Sequence, residues 1–458
     1  MGMKPLFFML TILLTAGCKD IPSEGIDYLP ELAHITSKTI DKAIIYEVNI
    51  RQYSSEGTFN SFTKNIPELK KLGVDIIWLM PIHPISVKNR KGKLGSPYSV
   101  DDFRMTNPDF GTAEDLDFLI ETAHANGMYV ITDWISNQTG WNHRWITEHP
   151  EYYVRNEKGE ILDPSNSKTG ESWGWTDVAE LNYDNLKMKA EMIQEMLYWV
   201  RTHRIDGYRL DAAQEIPDNF WNEAFDSIKK IKPDFLFIET EKSDVIHQIT
   251  DLNYDYLAQQ LMNGIAIGRN TVADWDSYFE HKKTSNAKKI VINSTSNHDE
   301  NAWNGTVYER LGDAAETFTV LTYLMPGVPL IYNGQEYDNK KRLPFFDKDS
   351  INHTKGTYFG LYEKLGRLKK NHPALSARID VGSYGRIRTT NDQRLLAFWR
   401  ANNNDSILFV ANLKNLTNKF NLPISGIFKD YFSGKIISIT PETIFDFKPW
   451  EYKVLIKQ

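Results

Sequence analysis

From Ala43 to Tyr332, short apolar runs alternate with amphipathic stretches, and this alternation constrains the fold more than any other feature of the chain. Runs such as Asp75-Ile76-Ile77-Trp78-Leu79-Met80 and Phe235-Leu236-Phe237-Ile238-Glu239 are continuously apolar, as expected of strands buried on both faces. Others lie at Ile44–Val48, Met128–Asp133, Asp206–Asp211, Lys289–Ser294 and Val328–Tyr332, with a weakly marked sixth near Leu252-Asn253-Tyr254. Between them run helical patterns, one of which stops at Gly73. Eight such units in about 320 residues predict an α/β protein with a closed (β/α)8 TIM barrel. A doubly wound open sheet is the alternative.

Two stretches break the rhythm. Residues 134–185 are long, irregular and aromatic, with Trp141, Trp145, Trp173 and Trp175, and predict a small inserted domain after the third strand. Those tryptophans are candidates for stacking on sugars, and at least half of them for packing within the insertion. Beyond Leu375, short alternating segments separated by Asn, Gly and Pro predict a C-terminal antiparallel β-sandwich over 376–458. The barrel is thus expected over 38–133 and 186–375.

The N-terminus reads as a targeting segment. Lys4 precedes an apolar run from Pro5 to Thr15, too short to span a bilayer. Ala16-Gly17-Cys18 resembles the cleavage box of bacterial lipoproteins, although Thr15 stands where Leu is usual. Cys18 is the only cysteine, so an internal disulfide is excluded and lipidation gives the thiol a use. The expectation is a signal peptide over 1–17, a tether over 18–37, and a protein lipid-anchored in a bacterial cell envelope, facing periplasm or surface. The net charge of −7 argues against nucleic acid and anionic membrane surfaces as partners, leaving the lipid anchor as the sole membrane contact.

Three acids fall at or just beyond strand ends: Asp211 in Gly207-Tyr208-Arg209-Leu210-Asp211, Glu239, and Asp299 in Asn297-His298-Asp299. Alternation puts Arg209 and Asp211 on one side of their strand, where a permanent cation keeps a carboxylate ionised. Glu239 follows an apolar run, a setting in which desolvation suits a carboxyl to act as a general acid. Two carboxyls about 5–5.5 Å apart, one nucleophile and one acid, are what a retaining glycosidase needs.

These segments resemble the α-amylase family, glycoside hydrolase family 13, and occur in its order. Asp133-Trp134-Ile135-Ser136-Asn137-Gln138, Gly207–Asp211, Phe235–Glu239 and Asn297-His298-Asp299 match its strand-end motifs, with Ala179-Glu180-Leu181-Asn182 and Gly95-Ser96-Pro97-Tyr98 in support. The resemblance implies Asp211 as nucleophile, Glu239 as acid/base and Asp299 as transition-state stabiliser, with Arg209, His298, Tyr98 and Gln138 holding the sugar. Gln138 replaces the family's His, and Gln cannot carry charge. The family's Asn often binds structural calcium, and Asn137 fits that place; Glu215, however, stands where a second ligand residue would be His. No cofactor is expected for the chemistry itself. The implied activity is a retaining hydrolase of α-1,4 bonds in starch, glycogen or maltodextrins, expected to act as a monomer. A transglycosylase and a non-catalytic glucan-binding lipoprotein are the alternatives.

Overall fold

The computed structural model describes residues 34–239, 250–285 and 289–458. Cys18 and the expected signal peptide lie outside the described residues. Eight parallel strands close into a barrel: β1 (Ile45–Val48), β2 (Ile76–Leu79), β3 (Tyr129–Ile135), β4 (Gly207–Asp211), β5 (Leu236–Glu239), β6 (Leu252–Tyr254), β7 (Val291–Asn293) and β8 (Val328–Tyr332). β1 pairs with both β2 and β8, which closes the ring and rules out the open sheet. The weakly marked sixth strand is real but only three residues long.

The strands are apolar because helices cover them. The helix Leu186–Thr202 turns Met188, Met192, Met196 and Trp199 inward, and Asn185 caps its first turn through Lys187 N and Met188 N. Gly207 opens β4 where the chains crowd: a Cβ there would stand 2.5 Å from Leu236 O. Only glycine lets β4 sit between β3 and β5 at that point.

The stretch after β3 carries a two-stranded ribbon, Gln138–Gly140 against Val178–Glu180, in antiparallel register. β3 itself runs two residues past Asp133, because Trp134 and Ile135 still pair with Leu210 and Asp211 of β4. The C-terminal region is an antiparallel six-stranded sheet with a second, two-stranded ribbon, Asn418–Phe420 against Phe445–Phe447. The ribbon's Phe420, Phe445 and Phe447 share an apolar core with Leu408, Phe428 and Leu455 of the sheet. Arg400, fully buried, ties this sheet to the barrel by donating to the carbonyl oxygens of Leu324 at 2.8 Å and Ser376 at 2.6 Å.

Candidate active site

The strand register builds the site. Asp133 and Arg209 are direct neighbours across β3 and β4, and Arg209 Nη1 donates to Asp133 Oδ1 at 2.5 Å. Two residues further along β4, and therefore on the same face, Asp211 Oδ1 accepts from the same Nη1 at 2.7 Å. Glu239 and Asn253 are neighbours across β5 and β6, and Asn253 Nδ2 donates to Glu239 Oε2 at 2.8 Å. Behind Asp211 the chain turns through Ala212 with φ +46°, a left-handed conformation that a side chain disfavours. That turn brings Ala212 to the wall of the cleft beside Asp211.

A cleft of about 340 Å³ opens at this end of the barrel. Asp211, Asp299, Arg209, His298, Tyr98 and Gln138 all line it, so these sequence-predicted residues are brought together. Among the described residues, Glu239 is not part of the lining; its carboxylate is buried one strand over from Asp211, against Asn253. Asn137 lies just behind Gln138, and its Nδ2 donates to Gln138 Oε1 at 3.2 Å. Gln138 Nε2 in turn donates to the Tyr98 carbonyl at 3.2 Å. Both ends of the Gln138 amide are thus engaged with protein groups.

One participant was not singled out from the sequence. Glu47 of β1, fully buried, accepts from His298 Nδ1 at 2.5 Å, and His298 Nε2 lies 2.9 Å from Tyr98 OH. Tyr98 OH donates onward to Asp133 Oδ2 at 3.3 Å, an oxygen that also accepts from Trp78 Nε1 at 3.0 Å. The only signal in the sequence was a carboxylate at an alternating position inside an otherwise apolar strand.

Charge follows from this wiring. Burial alone would lower the His298 pKa, but the carboxylates of Asp299 and Glu47 more than offset it and raise the imidazole to about 9. Burial pushes the Asp133 carboxyl up to about 6 despite Arg209 beside it. Burial also pushes the Asp211 carboxyl up, opposed by Arg209 and reinforced by Asp299. Four acids (Glu47, Asp133, Asp211, Asp299) surround two cations (Arg209, His298), so the site is suited to positive charge developing on a bound sugar.

The tryptophans of the insertion divide. Trp145 is fully buried and packs on Phe103 and Tyr152, whereas Trp173 and Trp175 are about 40% exposed, stack on each other at 5.8 Å and line the cleft. The donor set for calcium fits poorly. Asn137 Oδ1 is buried without a hydrogen-bond partner among the described residues, but calcium takes about six to eight oxygens. Glu215 is engaged by Ser167 N at 2.9 Å, and no group of three His, Cys, Asp or Glu among the described residues is placed to hold a metal.

Residues 37–231 match the family model of the α-amylase catalytic domain. That segment is similar to the catalytic domain of a family of glycoside hydrolases. "Alpha-amylase 3" of Dictyoglomus thermophilum is 27% identical over 452 residues, covering 83% of this chain and 86% of that enzyme. "Alpha-amylase MalA" of Haloarcula japonica is 25% identical over 405 residues, covering 86% of this chain, which spans only 59% of that enzyme's length. Among solved structures, the noncanonic maltogenic alpha-amylase AmyB from Thermotoga neapolitana superposes with a TM-score of 0.81 at 26% identity, covering 91% of this chain and 99% of AmyB.

Proposed function

We propose that this chain is a retaining α-glucan hydrolase of the α-amylase family acting on α-1,4-glucosidic bonds. The observation that carries the reading is the single Arg209 nitrogen bridging Asp133 and Asp211 at the cleft wall, which aims Asp211 and opposes the effect of burial on its carboxyl. The Asp211 carboxylate attacks the anomeric carbon. The glycosidic C–O bond breaks, its electron pair leaves with the departing oxygen, and that oxygen takes a proton from Glu239. The Glu239 carboxylate then takes a proton from water. The water oxygen attacks the anomeric carbon, and the bond to Asp211 breaks with its pair returning to the carboxylate. Two inversions give net retention.

In this scheme Asp299 and the His298 cation bind sugar hydroxyls, and Tyr98 offers an apolar face to the ring. No metal enters any step. The test is hydrolysis of maltoheptaose followed by NMR of the first-formed anomer. Release of the α-anomer supports the reading, and the β-anomer or no turnover refutes it. Products longer than the substrate would favour transglycosylation instead. We also propose lipidation of Cys18; fatty-acid labelling that persists in Cys18→Ser would refute it.

A further inference from the structure

One segment of the cleft wall is fastened at both ends. Residues 86–96, between β2 and the helix Ala113–Ala125, cross from the insertion to the loop after β8. At the insertion end, Val87 N and Lys88 N donate to Asn142 Oδ1 at 3.0 and 2.7 Å. Lys91 Nζ donates to the Gly174 carbonyl at 3.0 Å and pairs with Asp177 Oδ1 at 3.0 Å. At the other end, Lys93 N donates to Asp347 Oδ1 and Leu94 N to the Phe346 carbonyl, both at 3.0 Å. Between the two anchors, Gly92 has φ +62°, and a Cβ there would stand 2.5 Å from Phe346 Cβ. The strap therefore lies flush on the β8 loop, and only glycine permits it.

Lys91 is part of the cleft lining, together with Trp173 and Trp175 on either side of the Gly174 carbonyl it holds. The barrel order gives the strap a side. β5, which carries Glu239, is four strands from β1 in either direction round the ring, whereas the strap is tied near β1, β2 and β8. A general acid stands on the leaving-group side of the scissile bond. The glycone therefore extends away from β5, toward the strap.

We infer that the strap 86–96, pinned by Lys91–Asp177 and Asp347, ends the cleft on the glycone side, so that the enzyme works from the non-reducing ends of α-glucans and releases a short product of fixed length. The stacked Trp173 and Trp175 give the last glucose before this wall a flat apolar face. This inference rests on the hydrolase reading above.

The experiment compares maltoheptaose with the same oligosaccharide carrying an ethylidene bridge on O4 and O6 of its non-reducing glucose. Wild-type enzyme should turn over the blocked substrate at least about tenfold more slowly, since the added group meets the wall. Lys91→Ala and Asp347→Ala each release one anchor and should narrow that ratio and lengthen the first product. Equal rates on blocked and free substrate in the wild type would overturn the inference. So would folded variants, checked by thermal melting, that keep both ratio and product unchanged. Absence of turnover on either substrate would instead overturn the hydrolase reading.

Discussion

Glu47 of β1 and His298, 251 positions apart in the chain, meet at 2.5 Å beneath the cleft, carboxylate to imidazole Nδ1. This contact, with Asp299 on the other side of the ring, holds His298 as a cation at neutral pH.

The first prediction is kinetic. The pH profile of kcat/KM should show an alkaline limb near pH 9, where His298 loses its proton. Glu47→Gln keeps the shape and removes one negative charge, so the limb should move to lower pH. An unmoved limb would mean that Glu47 does not hold the charge.

Stability should carry the same signature. The folded His298 pKa of about 9 lies above the ordinary 6.5, so its ionic contacts stabilise fully below about pH 6.5. That contribution is lost as the pH rises through 9. The gap in melting temperature between wild type and His298→Gln should be widest at acid to neutral pH and shrink toward pH 10, measured at constant ionic strength.

Asp211→Asn should lower turnover of maltoheptaose by at least about a thousandfold. Arg209 retains its contact with Asp133, so the variant should fold normally by circular dichroism and melt within a few degrees of wild type. Near-normal turnover would remove Asp211 from the nucleophile role.

Arg209→Lys is not conservative here. A single guanidinium nitrogen reaches both Asp133 and Asp211, and the shorter Lys chain cannot bring its ammonium to that point from the same Cα. Leaving Asp133 buried without its partner should cost about 3 kcal/mol or more, read from the denaturant midpoint.

Gln138→Ala would strip partners from Asn137 Nδ2 and the Tyr98 carbonyl, both buried. The expected loss is about 1–3 kcal/mol of stability, with KM rising more than kcat falls. An unchanged KM would place Gln138 outside the sugar contacts.

Much of the architecture was legible in the sequence. Strands buried on both faces read as unbroken apolar runs, so β1 to β5, β7 and β8 were apparent; β6 was harder because only three of its residues are paired. Asp211 and Asp299 were visible because a carboxylate that interrupts or follows an apolar run stands out. Glu47 was not, since one acid within Ile45-Tyr46-Glu47-Val48 does not reveal which side chain faces it. The division of the tryptophans was hidden for a related reason: Trp145 and Trp173 both lie in one irregular, aromatic stretch, and only packing decides that one is buried and the other lines the cleft.

The sequence by itself determined the order of strands and helices and set acids at the strand ends, because hydrophobic periodicity and side-chain alternation act over a few residues. Tertiary structure alone decided which groups share a field. Pairing β1 with β8 closes the ring, and that closure brings Glu47 under His298. Laying residues 86–96 between the insertion and the β8 loop brings Lys91 to Asp177 and Lys93 to Asp347. Such contacts join residues tens to hundreds of positions apart, and their geometry depends on barrel closure and backbone crowding rather than on any local pattern.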